Sequence, residues 1–296
     1  MAGLGILGLT LTPVYLVMAA LAGVPGLGFR VKCVYLAIRL WLKRQAPMDL
    51  KSLLLLVVFP LDSTRYFEMD VLWRALVQGN SRSHLDVSSP RLLFTLYLMQ
   101  DPDLHSELVN PDKADLAETE KLIRACGLMP RCKLHSCLIS KVPFAPGSFD
   151  TITSMSVLEH IPEDRQAVQK MWELLKPGGR LLLTLPCAAE ASEQYIDRNE
   201  YGVLSQGEDG HVFWQRFYDT ELLRERIFSV TGEPRNSKIF GERSPGLFLR
   251  NATRKRTDRY YPFWREPYMV AREYCFFESV EQLPGEGVIA LEFVKP

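Results

Sequence analysis

The stretch FDTITSMSVLEHIPEDRQAVQKMWELLKPGGRLLLTLP, residues 149–186, decides the fold of this chain. The segment 148–160 contains a β-strand, 163–179 has the apolar spacing of an amphipathic helix closed by glycine, and 179–186 is a second apolar strand. A strand, a helix and a strand in this order predict a right-handed βαβ unit, which belongs to a parallel sheet.

The same alternation of strands and helices continues on both sides of this stretch. Further strands are predicted at 83–87, 105–110, 133–139 and 287–296, and further helices at 61–79, 91–100 and 113–127. Repeated βαβ units place helices on both faces of one sheet. The sequence therefore predicts an α/β fold with a mostly parallel sheet.

Polar side chains follow the predicted strand ends, at 86–90, 110–112, 136–138 and 154–156. Open parallel sheets bind ligands at the carboxyl ends of their strands, close to the point where the strand order reverses. Asp112 follows the second strand, where a carboxylate can hold a ribose diol by two charge-assisted hydrogen bonds. These residues predict a nucleotide-type ligand site.

The segment 149–186 resembles the class I S-adenosylmethionine-dependent methyltransferases, in particular their small-molecule "type 11" group. The resemblance rests on the Phe-Asp start of the strand, the Leu-Glu-His-Ile turn and the Leu-Lys-Pro-Gly-Gly segment, together with VPFAPGSFD at 142–150. It implies a Rossmann-like, seven-stranded, mostly parallel sheet and S-adenosyl-L-methionine as cofactor. It also implies methyl transfer to a small-molecule, lipid-linked or saccharide acceptor.

The resemblance further implies a cofactor site at the strand ends. Its predicted residues are Asp86, Ser88, Ser89, Asp112, Cys137, Leu138, Ser154 and Met155. The chain departs from the family pattern twice, because the loop after Asp86 has no glycine and the third strand ends without a carboxylate.

The loop without glycine leaves two hypotheses open. Glycines let a loop backbone approach the cofactor closely, whereas Ser88 and Ser89 narrow that space but offer hydroxyls for hydrogen bonds. Pro90 is tolerated in the first turn of the next helix. The chain is either an active methyltransferase or a non-catalytic, methyltransferase-like scaffold or regulatory protein that has lost cofactor binding.

Two histidines are candidate catalytic residues. Methyl transfer depends mainly on proximity and orientation, and a hydroxyl acceptor also needs a base, for which histidine is suited. His160 lies in the Glu-His turn, where a structural hydrogen bond is the competing role. His211 lies in GHVFWQRFYD (210–219), which resembles the segment that covers the family's acceptor pocket.

Arg65 and Tyr66 could meet the cofactor's carboxylate or form part of a solvated face.

The chain is expected to divide into a hydrophobic N-terminal helical segment, 1–48, and a methyltransferase domain, 49–296, with an insertion at 241–285. The first charged residue is Arg30, and an apolar run of about 20 residues can cross a bilayer. The following basic residues would keep the remainder in the cytoplasm. The competing interpretation is a helix pair docked on its own domain or on a partner. We expect a cytoplasmic location, either free or at the inner face of the cytoplasmic membrane.

Charge and cysteine content exclude several classes of function. The 35 basic and 35 acidic residues cancel, so no nucleic-acid partner is expected. Six cysteines without a CxxC pair indicate a reducing compartment. Cys132, His135 and Cys137 match no common zinc spacing, so no metal site is predicted.

Overall fold

The computed structural model describes residues 2–42, 50–197, 210–258 and 261–296. The described strands are β1 (Ser83–Val87), β2 (His105–Val109), β3 (Cys132–His135), β4 (Phe149–Met155), β5 (Leu175–Cys187), β6 (Ser192–Ile196), β7 (Val212–Phe217), β8 (Asn236–Glu242), β9 (Tyr274–Phe277) and β10 (Gly287–Val294). Eight of them form one sheet in the order β3-β2-β1-β4-β5-β10-β8-β9, and β6 pairs with β7.

Helices cover both faces of this sheet. The described helices are α1 (Ala2–Leu21), α2 (Leu27–Leu42), α3 (Leu50–Val58), α4 (Arg65–Gln78), α5 (Arg91–Gln100), α6 (Lys113–Ala125), α7 (Asp164–Leu174), α8 (Thr220–Leu223), α9 (Ser229–Thr231), α10 (Leu247–Thr257) and α11 (Glu266–Glu273). A π-helical turn, Arg224–Phe228, joins α8 to α9. Short 3₁₀ turns include Ile139–Lys141 after β3, Leu158–His160 after β4 and Phe263–Arg265 before α11.

The sheet confirms the predicted α/β fold. Strands β1 to β5 run parallel to one another, and β10 is antiparallel to both β5 and β8. The chain moves outward from β1 to β3 and then returns to the other side of β1 with β4, so the strand order reverses between β1 and β4. That reversal is the switch point at which such sheets bind ligands.

The structure adds an eighth strand to the seven that were expected. Strand β9 pairs antiparallel with β8 at the edge of the sheet and comes from the 241–285 region. The pairing brings the rings of Phe240 and Phe276 to 5.1 Å, and aromatic cross-strand contacts of this kind stabilise a sheet edge.

The helix predicted at 163–179 ends earlier than expected. Helix α7 stops at Leu174, and the Lys-Pro-Gly-Gly segment already belongs to β5. Pro177 cannot donate a helical hydrogen bond, and Gly178 has a φ of 76° that no right-handed helix contains. The segment is therefore an irregular start of the strand, with a register shift between Phe149 and Thr151 opposite it.

The N-terminal helices dock on the α/β domain. Helix α1 packs on α11 and on the turn Phe263–Arg265, with the rings of Tyr15 and Tyr268 6.3 Å apart, and α2 packs on α3, α4 and α5. These contacts match the docked interpretation of the sequence. Among the described residues, no helix combines the length and the apolarity that a membrane span requires.

Candidate cofactor and acceptor site

Two cavities lie side by side at the carboxyl ends of the parallel strands. The switch-point cavity, of about 510 Å³, is bordered by the ends of β1 and β2 and by the turns after β3 and β4, with Ser88, Asn110, Leu138 and Ser156 in its wall. The outer cavity, of about 650 Å³, is lined by aromatic and charged side chains that include Phe59, Glu159, Trp214, Phe248 and Lys255.

The two cavities share a wall. Four side chains contribute to both linings: Arg65, Asp112, Ser156 and His160. Helix α4 supplies Arg65, and the polypeptide that follows β2 and β4 supplies the other three. The two cavities therefore adjoin each other at these four residues.

The loop after β1 is shaped by serine instead of glycine. Ser88 has a φ of 55°, in the left-handed region, and both its backbone N–H and its Oγ donate to the carbonyl oxygen of Val109, at 2.9 and 3.0 Å. Left-handed backbone costs a non-glycine residue about 1–2 kcal/mol. The two hydrogen bonds to β2 stabilise the strained loop against that cost.

Asp86 and Ser89 support this loop from behind. The Asp86 carboxylate accepts from the backbone N–H of Ser89 at 2.9 Å and from Oγ1 of Thr153 at 2.7 Å, and Ser89 Oγ accepts from the N–H of Met155 at 3.1 Å. Burial raises the pKa of Asp86 to about 6. These residues therefore fix the loop to β4.

Backbone strain is concentrated around the two cavities. Within the described chain, the non-glycine residues with positive φ are Ser63, Ser88 and Ser156, and all three line one cavity or both. Residues held in sparsely populated backbone regions cluster at functional sites. Their position supports a binding role for these cavities.

The polypeptide after β2 brings two carboxylates to the switch-point cavity. Asp112 caps α6 through Oδ1, which accepts from the N–H groups of Ala114 and Asp115 at 2.8 and 3.1 Å. Asp115 accepts from Arg91 at 2.6 Å and from Nδ2 of Asn110 at 3.0 Å. A carboxylate accepts about four hydrogen bonds, so capping does not exhaust Asp112.

A buried carboxylate cluster lies at the shared wall. Glu68, only 1% exposed, accepts from Arg65 Nη1 at 3.1 Å, from Thr184 Oγ1 at 2.7 Å and from Ser156 Oγ. These bonds attach the first turn of α4 to the ends of β4 and β5. The position of Arg65 between the cavities follows from that attachment.

Glu159 lies in the same cluster and is 3% exposed. Burial raises its pKa to about 8, the field of Glu68 adds to the rise, and the charge of Arg65 opposes it. In the part of the chain that the structure describes, Glu159 Oε2 has no hydrogen-bond partner. An unpartnered buried carboxyl oxygen beside a cavity is a candidate contact for a bound ligand.

His160 combines the two roles that the sequence left open. Its Nδ1 lies 2.6 Å from the carbonyl oxygen of Trp214, and because a carbonyl only accepts, Nδ1 carries the proton. This bond stabilises the Glu-His turn against β7. In the neutral ring Nε2 then carries the lone pair, and it lies 3.9 Å from Glu159 Oε1.

The structure brings only some of the predicted site residues to the cavities. Ser88, Asp112 and Leu138 line the switch-point cavity, and His160 lines both. The other predicted residues lie outside both linings of the described chain: Asp86, Ser89, Cys137, Ser154, Met155 and His211. Strand residues such as Ser154 and Met155 are fully covered within the sheet, whereas His211 is exposed just before β7.

The sequence prediction missed several residues of the site. They include Asp115 and Glu159. Asn110 and Ser156 belong to the polar strand ends that predicted the ligand site but were not among the predicted cofactor residues, and Arg65 was predicted only as a possible contact of the cofactor's carboxylate. Glu159 belongs to the Leu-Glu-His-Ile turn, but its burial depends on α4, which the local sequence does not contain.

A switch-point cavity on a 3-2-1-4-5 parallel sheet that ends in antiparallel strands defines the class I methyltransferase fold. Residues 85–183 match the family profile described as "Methyltransferase domain". These residues are a methyltransferase domain of the class I, type 11 group, and the cofactor of that group is S-adenosyl-L-methionine.

Two curated relatives match short segments of the chain. The ubiquinone biosynthesis O-methyltransferase of Paracidovorax citrulli (strain AAC00-1) is 51% identical over 66 residues, which is 21% of this chain and 28% of that protein. The protein of the same name from Xanthomonas euvesicatoria pv. vesicatoria (strain 85-10) is 51% identical over 39 residues, 13% of this chain and 16% of that protein. The chain thus aligns with less than a third of these relatives' length.

Solved structures share the fold over most of the chain. The [4+2]-cyclase SpnF aligns with a TM-score of 0.51 at 18% identity, covering 79% of this chain and 83% of that one. The MccD protein aligns with a TM-score of 0.54 at 10% identity, covering 78% and 97%. At these identities the likeness concerns the fold alone.

Proposed function

We propose that this protein is an enzyme that transfers the methyl group of S-adenosylmethionine to a hydroxyl group of a small acceptor. The shared wall of the two cavities carries this proposal, because it lets a donor in one cavity and an acceptor in the other meet at a single point. Methyl transfer needs little more than such alignment in a pocket from which water is excluded.

The switch-point cavity has the donor set that the cofactor requires. Leu138 and Ile139 offer an apolar surface to adenine, Asp112 can accept hydrogen bonds from the ribose hydroxyls, and Arg65 and Ser88 suit the amino-acid end. When bound, the cofactor supplies an electrophilic methyl group on a sulfonium. The residues present therefore fit the cofactor despite the absence of glycine from the loop.

His160 is the residue that we propose as the base. Its Nδ1–H donates to Trp214 O, so Nε2 is the ring nitrogen that would take the acceptor's hydroxyl proton at the shared wall. Because burial favours the protonated form of Glu159, its carboxyl stabilises the resulting imidazolium by charge only once it has ionised; its Oε1 lies 3.9 Å from Nε2. The role predicted for His211 remains a prediction; His211 is exposed and is not among the described residues that line the two cavities.

The outer cavity favours an acceptor that is partly apolar. Phe59, Trp214 and Phe248 form aromatic surfaces. Arg256 adds positive charge, whereas Lys255 is paired with Asp62 and Glu266. The relatives named as ubiquinone biosynthesis O-methyltransferases support an oxygen acceptor with an apolar part. We therefore favour a hydroxylated, lipid-linked acceptor over a free saccharide, and a cytoplasmic location at the inner face of a membrane.

Transfer of a labelled methyl group tests this function. The full-length protein, tritium-labelled S-adenosylmethionine and a cellular lipid extract should give a labelled, solvent-extractable product. Asp112→Asn keeps the helix cap but removes the charge at the cavity, and it should weaken cofactor binding about tenfold or more. Asp219→Asn is the matched control, because Asp219 caps α8 in the same way outside both cavity linings.

The opposite results would support the scaffold hypothesis. If no labelled product forms and the protein binds no S-adenosylhomocysteine, the proposed enzyme activity is wrong. If Asp112→Asn and Asp219→Asn bind the cofactor equally well, the cofactor does not use the switch-point cavity as proposed.

A further inference from the structure

The outer face of α2 is apolar although it is exposed. Val31, Tyr35, Ile38 and Leu42 follow one another at helical spacing and are 48–68% exposed, while Cys33 and Leu36 on the inner side are fully buried. A surface helix of a globular protein normally carries polar residues on its outer side. Helix α2 is therefore suited to apolar surroundings on both sides.

The neighbouring helices extend this surface. Of the 17 exposed large hydrophobic residues in the described chain, 11 lie between residues 14 and 55. They form what we call the N-terminal apolar face: Val14, Val17, Met18, Leu21, Val31, Tyr35, Ile38, Trp41, Leu42, Leu54 and Leu55. Helix α3 contacts both α1 and α2, so the three helices that carry these residues are neighbours. A concentration of this kind marks an interaction surface.

Charge indicates which surroundings suit this face. Residues 1–48 contain five basic residues and no acidic one. Arg30 is buried in the fold, where its guanidinium donates to Val57 O, Val58 O and Tyr66 Oη. Of the others, Lys32 has its Nζ 4.8 Å from the centre of the Trp73 ring, Arg39 is half-buried, and Lys43 and Arg44 lie outside the described residues. Helix α10, which also contributes to the outer cavity, adds the exposed Arg250, Arg254 and Arg256. Basic residues beside an apolar, aromatic surface complement anionic lipid headgroups.

The apolar face adjoins the outer cavity. Helix α3 ends at Val58, and the next residue, Phe59, lines that cavity. Across the cavity wall, Phe248 is followed on α10 by Leu249, which is 66% exposed, and by the exposed Arg250. Apolar and basic residues therefore continue from the N-terminal helices to the walls of the cavity.

We propose that the N-terminal apolar face docks at the headgroup level of an anionic phospholipid bilayer. Trp41 and Tyr35 are the side chains best suited to that level. Docking places the outer cavity next to the membrane, so an acceptor can enter it from the lipid. Only this delivery of the acceptor rests on the proposed function; the docking itself does not.

Vesicle flotation of the full-length protein tests the docking. Two vesicle types are compared: phosphatidylcholine alone, and equal parts of phosphatidylcholine and phosphatidylglycerol. We expect the protein to float with the anionic vesicles, and to be released from them by high salt. The triple variant Tyr35→Gln, Ile38→Gln and Leu42→Gln keeps helix-forming residues and should lower the floated fraction about tenfold.

Val77→Gln is the control variant, because Val77 is an exposed apolar residue on α4 outside the face. It should float like the parent protein. The docking proposal is overturned if the parent binds neither vesicle type, or if the triple variant binds as well as the parent. It is also overturned if the lipid-free parent is a dimer that the triple variant dissociates, because a second copy then covers the face.

A binding measurement separates this proposal from the proposed function. The triple variant should bind S-adenosylhomocysteine as the parent does, since none of its three positions lines the switch-point cavity. Failure of the parent to bind S-adenosylhomocysteine would contradict the enzyme activity and leave the flotation result unaffected.

Discussion

At the scale of single residues, the loop after β1 shows how serine can replace glycine. Ser88 adopts a left-handed backbone, which glycine takes without strain, and its two hydrogen bonds to Val109 O hold it there. Of the residues that the sequence predicted for the site, Ser88, Asp112 and His160 line a cavity, and their functional roles remain predictions. The sequence could not separate residues that line a cavity from those that support it, such as Asp86 and Ser89, because that difference depends on contacts with β4.

Ser88→Gly and Ser88→Ala together test the strained backbone. Both remove the hydroxyl, but only alanine keeps a Cβ at positive φ, so Ser88→Ala should be about 1 kcal/mol less stable than Ser88→Gly. Chemical denaturation measures the difference. Equal stabilities, or a more stable alanine variant, would mean that the loop does not hold this conformation.

His160→Asn separates the catalytic from the structural role of His160. Asparagine can still donate to Trp214 O but offers no basic nitrogen. We expect kcat to fall about 10²–10⁴-fold while S-adenosylhomocysteine affinity stays near that of the parent. Steady-state kinetics and calorimetry measure the two quantities. Nearly full activity in this variant would leave His160 with the turn-stabilising role only.

Glu159 should make stability depend on pH. Its pKa of about 8 in the folded protein lies above the ordinary value near 4.5, so the protonated form is favoured by folding. The associated stability is present at acidic pH and is lost as the pH rises through about 8. Glu159→Gln mimics the protonated form, so its Tm should exceed that of the parent. This Tm difference should be larger at pH values above about 8 than at about pH 6.

The matched control is Glu163→Gln, at an exposed glutamate that precedes α7. Thermal melts of the three proteins at the two pH values are compared. If the Tm difference between Glu159→Gln and the parent is the same at both pH values, the raised pKa of Glu159 is contradicted.

At the scale of elements, local pattern predicted the βαβ units because each strand and helix has its own periodicity. The end of α7 was misplaced because helical spacing was extended through Pro177. Strand β9 was not predicted, since Tyr274–Phe277 has only four residues and is fixed as a strand by its partner β8. The packing of α1 and α2 likewise depends on distant elements, so the sequence left docking and spanning open.

Arg30 tests the docking of α2 on α3. Arg30→Leu removes the donors to Val57 O, Val58 O and Tyr66 Oη, and it should lower the free energy of unfolding by about 3 kcal/mol. Arg39→Leu, a half-buried arginine on the same helix, should change it by about 0.5 kcal/mol or less. Similar losses from both variants in denaturant titrations would contradict the assigned role of Arg30.

At the scale of the whole molecule, the switch point brings together residues from three separate parts of the chain. Arg65 comes from α4, Asp112 from the start of α6, and Ser156 and His160 from the polypeptide after β4. The outer cavity adds α10 and the residue after α3. Cofactor class and fold could be predicted from residues 142–186, whereas the pairing of two cavities required the assembled sheet and the helices above it.

Calorimetric titration of the full-length protein with S-adenosylhomocysteine tests the central claim most directly. We predict saturable binding of one ligand per chain, weakened by Asp112→Asn and unchanged by Asp219→Asn. No heat of binding at high micromolar ligand would contradict the claim and would mean that the chain kept the fold of a methyltransferase without its cofactor.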